Sequence, residues 1–462
     1  MQIMKFGGSS VANADRIRIV ADIVISQSNS GKNQPVVVAS AMKSVTDALI
    51  QAANTAESGD ESYRSVLENM KKKHFVAVDC LFPQKFFHSE ICDSLNLVFE
   101  ELEEILRGVV LIKECSFRTR DLISGFGERL SCLIIAAYLS FRGKKTEMVD
   151  ARTIIKTDDN YGRATVNFET TPRLIRNRLK SKKIIYIVTG FISSTADGTS
   201  TTLGRNGSDY TATLLGAALN AASVEIWTDV DGVLTADPRV VPNSWVIKEI
   251  SFQEAMEMSF FGAEVIHPYT LLPVAEKKID VYIKNTLNPS APGTRIGKHV
   301  SPRDKAITGI ASIDNVSMIT IEGSDNVGMP GVVNRIFSSI SNSGATIIMI
   351  SQASSEHSVC LILRYDDAHK AAKNLKMDLH DAISSRIIRS IKIVDELELI
   401  AVIGDNMRGQ VGLCGKLFSS LGKANVNILA IAQGSTELNI SFVVTGENKS
   451  NALLAIHRAF LE

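Results

Sequence analysis

The last third of this 462-residue chain repeats itself. Offset by 81 positions, "GVVNRIFSSISNSGATIIMISQASSE", starting at Gly331, overlays "GLCGKLFSSLGKANVNILAIAQGSTE", starting at Gly412, without a gap. Gly323 meets Gly404, Phe337 meets Phe418, Gln352 meets Gln433 and Glu356 meets Glu437. Such self-similarity means one supersecondary unit built twice. Each copy reads strand, Gly-rich turn, helix, strand, strand, helix. In the first copy these are Met318–Glu322, the turn to Gly331, Val332–Asn342, Thr346–Ser351, His357–Arg364 and Asp366–Leu375. The stripe Val332, Val333, Ile336, Phe337, Ile340 has the spacing of one buried helix face. A further strand, Ile387–Val394, closes the first copy, while the second ends in the helical "NALLAIHRAFLE". Either the sequence is cut short there, or the two copies share strands.

Upstream, short apolar runs alternate with amphipathic ones. Strands are expected at Ile3–Phe6, Pro35–Ala39, Ile184–Val188, Glu225–Thr228 and Val281–Asn285. Helices are expected at Ala14–Ser26, Thr46–Ala56, Ser124–Ser140 and Asp209–Asn220. This alternation predicts an α/β sheet, open and mostly parallel, with helices on both faces. Residues 57–120 read as a polar, largely helical excursion from it. Two prolines and a glycine in Asn288–Gly293 then suggest a domain boundary. The expected division is a domain over 1–296, a first module over 312–395 and a second over 396–462.

Composition narrows the function. Lys+Arg and Asp+Glu are equal at 50 each, so no net charge recommends a nucleic-acid or membrane-surface partner. No apolar run reaches the roughly 18 residues of a membrane span, and the N-terminal stretch does not read as a signal peptide. Six scattered cysteines without a C-x-x-C pair read as reduced core residues of a cytoplasmic enzyme. No metal-ligand cluster is expected.

Four stretches carry the chemistry. "MKFGGSS" runs a strand into a glycine pair, where backbone amides can approach an anion and Lys5 can reach a phosphate. A tight turn with an exposed lysine remains the plainer alternative. "VVVASAMKSVTDAL" ends a second strand in hydroxyl residues, Ser40 and Thr46, which helix capping would also explain. "TTLGRNGSDYTA" opens a helix with Gly204, Gly207 and Ser208 as cap, and sets Arg205 and Asp209 on that opening. "EIWTDVDGVLTADPR" ends a buried strand in Thr228-Asp229 and continues to Asp237-Pro238-Arg239. Polar residues at the carboxyl ends of such strands are where α/β sheets bind ligands, although D-G and D-P also form ordinary turns.

Together with "GFGERLS" (Gly125–Ser131), "FFGAEVIHP" and "IKNTLNPSAPGT", these stretches resemble the aspartate kinases: an amino acid kinase fold followed by tandem ACT modules (βαββαβ). "MISQASSEHSV" and "IAQGSTELNISFVV" are most similar to the threonine-sensitive type, often the front half of a bifunctional aspartokinase–homoserine dehydrogenase. A dehydrogenase half would need a further strand–glycine-loop–helix after residue 462. The expectation is therefore a monofunctional kinase or a kinase half.

The resemblance implies phosphorylation of the L-aspartate β-carboxylate by ATP with Mg²⁺ held mainly by the phosphates. Lys5, Gly7, Gly8 and Ser9 would hold the transferring phosphate, and Asp209 would orient Lys5. Glu128 would bind the substrate ammonium and Arg205 its α-carboxylate, with Ser40, Thr46 and Ser208 nearby. Thr228, Asp229, Asp237 and Arg239 would line the ATP site. His267 is expected to be a packed structural histidine. Leu234 and Glu264 depart from the tyrosine and lysine many members carry. The effector, L-threonine or alternatively L-lysine, would meet Gln352 and Gln433 and the turns carrying Asn326, Gly328 and Asn406. A Gln amide suits a threonine hydroxyl, although both glutamines could instead bond backbone at a strand end. ACT pairing implies a homodimer or homotetramer. A non-catalytic amino-acid-binding regulator is the rival reading.

Overall fold

The alternating pattern of the first 300 residues builds one sheet. Its source is a computed structural model that describes every residue except 31–32, 263–265, 302, 324–330 and 353–357, and the side chain of residue 85. The chain divides into two units. The first comprises Met1–Val233, Val246–Phe252 and Val265–Val300; the second comprises Leu234–Trp245, Gln253–Glu264 and Ser301–Glu462.

Strands of the first unit are β1 (Gln2–Phe6), β2 (Val36–Ala39), β3 (Thr146–Val149), β4 (Ile185–Thr189), β5 (Ile192–Ser194), β6 (Ser200–Thr202), β7 (Ser223–Thr228), β8 (Glu249–Ser251), β9 (Val281–Asn285) and β10 (Thr294–Gly297). Among the described residues the main sheet has the order β3-β4-β2-β1-β7-β9-β10-β8, with β5 and β6 as a separate hairpin. Every pairing in the main sheet is parallel except β9 with β10. The proline-rich stretch therefore turns the chain within the sheet, and Gly293 (φ 77°) permits the turn: a Cβ there would come 2.1 Å from the Ile283 carbonyl oxygen.

The helices are α1 (Ala14–Ser30), α2 (Val45–Glu57), α3 (Tyr63–Leu81), α4 (Lys85–Ile112), α5 (Phe117–Ser124), α6 (Phe126–Phe141), α7 (Thr171–Arg178), α8 (Gly207–Leu219), α9 (Phe252–Phe260) and α10 (Pro268–Lys277). All but α9 lie in the first unit; α9 belongs, beyond its first residue, to the second. The excursion read as polar is less so: Leu67, Met70, Leu95 and Leu102 of α3 and α4 join Ile17, Leu49 and Ile134 in one core. Strand alternation sorts β1 between two faces. Met4 and Phe6 enter that core, while Ile3 faces α8, where a Cβ on Gly216 would lie 3.9 Å from it. Lys5 shares the Ile3 face and so points toward α8. The stretch Phe117–Phe141, missed as an apolar run, is long and apolar enough to cross a membrane by length and composition, yet 72% of an apolar 18-residue segment within it is buried inside the structure. All six cysteines are free; Cys115 and Cys132 are buried, Cys92 and Cys414 pack half-buried against the cores, Cys360 is half-buried, and Cys80 is exposed and so not a core residue.

The second unit resolves how the repeat closes. Its strands are β11 (Gly309–Gly323), β12 (Ile347–Gln352), β13 (Ser358–Arg364), β14 (Ile388–Ile403), β15 (Ala430–Gln433) and β16 (Asn439–Thr445), in the order β12-β13-β11-β14-β16-β15. Its remaining helices are α11 (Val332–Asn342), α12 (Tyr365–Asp378), α13 (His380–Ser384), α14 (Leu413–Lys423) and α15 (Lys449–Phe460). Strands β11 and β14 run antiparallel over their whole lengths, from Gly309 opposite Ile403 to Gly323 opposite Ile388. The first half of β11 thus supplies the strand that the second copy lacks, so the copies share strands. Where each long strand passes between copies, a residue takes positive φ: Asn315 at 54° and Glu396 at 57°, the same position in the repeat. Ala236 and Val241, far upstream, pack with Leu417, Phe442 and Ile456 in this unit's core.

Candidate active site

Strand β1 delivers Lys5 at its carboxyl end. Its Nζ lies 2.6 Å from Oδ1 of Asp209, in the first turn of α8, and both side chains are nearly buried. An acidic residue in a helix's first turn is also favoured by the helix dipole. The chain then leaves β1 through Gly7 and Gly8. The Gly7 N–H donates to the Trp227 carbonyl of β7 at 3.1 Å, and the Lys43 N–H donates to the Gly8 carbonyl at 3.1 Å. A Cβ on Gly8 would come 2.9 Å from the Ala41 oxygen, so only glycine fits this crossing of two strand ends. Ser9 is half-buried beside it.

Below this turn lies Glu128, in the first turn of α6 and only 3% exposed. Its Oε1 accepts from the Ala41 N–H at 3.1 Å. Its Oε2 is buried with no hydrogen-bond partner among the described residues. Desolvation pushes its pKa up to about 8; the Ala41 N–H and the Lys5 ammonium pull the other way. A buried acceptor lacking a partner is costly, and a bound cationic group would relieve it. Ser40 is tied in from both sides: its N–H donates to the Phe6 carbonyl at 3.1 Å, and its carbonyl accepts from Ser131 Oγ at 2.7 Å. Thr46 lies in the first turn of α2, half-buried, just after Ser44 at φ 67°.

Helix α8 begins one residue before the expected cap. Asn206 (φ 54°) is the N-cap and Ser208 lies in the first turn. The left-handed cap and Gly204 (φ 74°) bracket Arg205, which is exposed at the apex. Ser208 packs on Gly190, where a Cβ would come 2.5 Å from its Oγ. His267 caps α10, and its carbonyl accepts from the Thr270 N–H at 2.9 Å. Burial, then the Arg205 charge, lowers its pKa.

Thr228 and Asp229 end β7, next to β1, with Thr228 Oγ1 donating to Asp229 at 3.2 Å. Asp237 and Arg239 belong to the second unit. There the Asp237 carboxylate holds the Arg239 Nη2 at 2.7 Å, lowering the carboxyl's pKa, while Arg239 stays exposed. Leu234 is also in that unit; Glu264 lies outside the described residues. Of the effector positions, Asn326 and Gly328 lie outside them too. Gln352 and Gln433 end β12 and β15, both exposed. The Asn406 amide donates to the Arg303 and Lys305 carbonyls at 2.9 and 3.2 Å. In the same turn the Asp405 N–H donates to Glu254 of α9 at 3.0 Å. No group of His, Cys, Asp and Glu that could hold a metal exists among the described residues.

Residues 1–285 match the amino acid kinase family, and residues 319–379 and 400–460 each match the ACT domain. Along 100% of its length, and 80% of the relative's, the chain is 34% identical to aspartokinase 1 of Arabidopsis thaliana. The chain belongs to the aspartokinase family. It is also 38% identical to the bifunctional aspartokinase/homoserine dehydrogenase 1 of Arabidopsis thaliana, and spans about half (51%) of that longer protein. Among solved structures it is similar to aspartokinase III of E. coli in complex with aspartate and ADP, with a TM-score of 0.82, 30% identity and both chains covered fully. The same enzyme in complex with lysine and aspartate gives a TM-score of 0.79 at 29% identity. This aspartokinase-family chain thus has an amino acid kinase domain followed by tandem ACT domains.

One buried carboxylate beside these segments went unnoticed in the sequence: Asp121 of α5, which accepts hydrogen bonds from Gly162 and Thr202. An aspartate in the apolar context "DLISGFG" was the available signal.

Proposed function

We propose that the chain transfers the terminal phosphoryl group of ATP to the β-carboxylate of L-aspartate, giving 4-phospho-L-aspartate and ADP. The observation that carries the reading is the Lys5–Asp209 pair at 2.6 Å, set at the glycine turn beside the orphaned Glu128 oxygen. The E. coli enzyme of similar fold binds aspartate and ADP.

The residues suit that chemistry. A β-carboxylate has an ordinary pKa of about 3.9 and is ionised at pH 7, so attack needs no general base. One of its oxygens bonds to the γ-phosphorus as the bond to the β–γ bridging oxygen breaks, and ADP leaves with that electron pair. The obstacle is repulsion between anions, which fixed positive groups and alignment remove. Lys5 supplies an ammonium, and the Gly7–Gly8 backbone lets phosphate oxygens approach. Thr228 and Asp229 at the neighbouring strand end are assigned to the nucleotide. Mg²⁺ would arrive on the phosphates and share their charge. Glu128 takes the substrate ammonium, and Arg205 takes the α-carboxylate in a planar fork. Arg205→Ala is expected to raise the aspartate KM by about 10–100-fold, the worth of a charged hydrogen-bonded contact. An unchanged KM in steady-state assays would remove Arg205 from this role. An ATP-dependent aspartate hydroxamate assay tests the activity itself, and no product would leave the rival, an amino-acid-binding regulator.

The ACT modules are assigned to feedback control by L-threonine in a cytoplasmic homo-oligomer. Two exposed glutamines at matching strand ends, Gln352 and Gln433, support it. L-lysine is the second reading, favoured by the lysine complex of the E. coli enzyme. Inhibition requires the effector to bind one kinase state better than another, typically by 5–150-fold. Threonine is expected to depress initial rates of the wild type, and Gln352→Ala to shift its midpoint upward by about tenfold. A rate that responds to lysine and ignores threonine would transfer the assignment to lysine.

A further inference from the structure

Asp121 is a buried carboxylate that the chemistry above leaves unused. It projects from α5 and is 6% exposed. Its hydrogen-bond partners are uncharged. Oδ2 accepts from the Gly162 N–H at 2.9 Å and from the Thr202 N–H at 3.0 Å. Oδ1 accepts from the Thr202 hydroxyl at 2.9 Å. Ionised carboxylates strengthen such bonds, and a buried one is costly unless its donors are held in place.

Those donors belong to two segments, the loop between β3 and α7 that carries Gly162 and the β6 strand that carries Thr202. The segments are also joined directly, because the Ala164 N–H donates to the Thr202 carbonyl at 3.1 Å. Thr202 ends β6, two residues before Gly204. The Gly162 carbonyl oxygen sits where it would be 3.2 Å from a Cβ on Gly204, which has φ 74°. Asn206, on the other side of Arg205, makes no side-chain capping bond. The turn is therefore set by its backbone anchors: Thr202 on Asp121, Leu203 N–H on the Phe191 carbonyl at 2.9 Å, and Gly207 N–H on the Gly204 carbonyl at 3.1 Å.

We propose that Asp121 is a positioning residue for the acceptor substrate. By holding Gly162 and Thr202 on one carboxylate it fixes the Gly204–Asn206 turn, and through it the direction of the Arg205 guanidinium. The proposal rests on the reading that Arg205 anchors the aspartate α-carboxylate. Loss of the clamp lets that turn shift while β1, the glycine pair and the β7 end stay as they are. The defect is therefore specific to one substrate.

Steady-state kinetics of the full chain test this with Asp121→Asn, Thr202→Val, Thr202→Ser, Arg205→Ala and the double variant Asp121→Asn/Arg205→Ala. Asp121→Asn and Thr202→Val are expected to raise the aspartate KM by about tenfold, the scale of a misplaced binding group, with kcat and the ATP KM within about threefold. Thr202→Ser keeps the hydroxyl and restores the wild-type KM. Asp121→Asn adds less than about twofold to the KM of Arg205→Ala, because both act through one group. An aspartate KM unchanged in Asp121→Asn overturns the proposal; if that variant does not fold, an unchanged KM in Thr202→Val does so. Independent, multiplying effects in the double variant also overturn it. A wild-type chain that does not phosphorylate aspartate overturns the functional reading and this proposal together. Turnover of aspartate with any of the contrary results overturns this proposal alone.

Discussion

Lys5→Ala is expected to lower kcat by about 10²-fold or more at saturating aspartate and ATP, the cost of removing one preorganised electrostatic donor. The reason lies in where the ammonium is held. Asp209 fixes it at 2.6 Å in a nearly buried pair, so it need not reorganise as phosphoryl charge develops. Its Nζ lies 3.5 Å from a Cβ position on Gly7, at the edge of the backbone that would meet the phosphates. Lys5→Arg should not rescue the rate, since a planar, delocalised fork does not reproduce the compact ammonium held 2.6 Å from Asp209. Rapid-quench measurement of the phosphoryl-transfer step separates the effect from product release. A chemical step within threefold of wild type would remove Lys5 from the mechanism.

Local periodicity revealed helices better than it revealed who pairs with whom. The repeat offset predicted α11 at Val332–Asn342, where it stands, and α14 follows 81 positions later at Leu413–Lys423. The same offset could not show that β11 serves both copies, because strand partners are set by contacts distant in sequence. The crossing residues, Asn315 and Glu396, are not glycines, and so carry no turn signal despite their positive φ. The helix expected over Ser124–Ser140 stands as α6, Phe126–Phe141, and Gly125, where a Cβ would meet Ile192 at 2.7 Å, separates it from α5. The site was legible as separate motifs. Lys5 and Asp209 sit on different elements, and only the sheet face shared by Ile3 and α8 brings them together. Asp121 stayed hidden because its contacts depend on burial and on two segments distant from its helix in sequence. The cap of α8 was assigned to Ser208 because hydroxyls favour N-caps, whereas the left-handed turn puts Asn206 there.

Glu128→Gln tests the charge balance beneath the same turn through two independent readouts. In the free protein this carboxyl has its pKa pushed up to about 8 from 4.5, first by desolvation. At pH 7 it is therefore mostly protonated, and binding a substrate ammonium requires it to ionise. The wild-type kcat/KM for aspartate should then rise with pH up to about 8, the region in which this group releases its proton. Glu128→Gln removes that rise and increases the aspartate KM by about 10–100-fold, since a neutral amide replaces the charged partner. Stability moves the other way. A raised pKa means that the folded chain holds a proton which the unfolded chain gives up. The group's contribution is thus full below about pH 4.5 and is lost as pH climbs through about 8. Gln carries no such charge, so its melting temperature relative to wild type should climb between pH 5 and pH 8.5, by the equivalent of a few kcal/mol at most. If the difference between the two proteins stays constant across that range, Glu128 is not titrating in the folded chain, and its assignment to the substrate ammonium must rest on geometry alone.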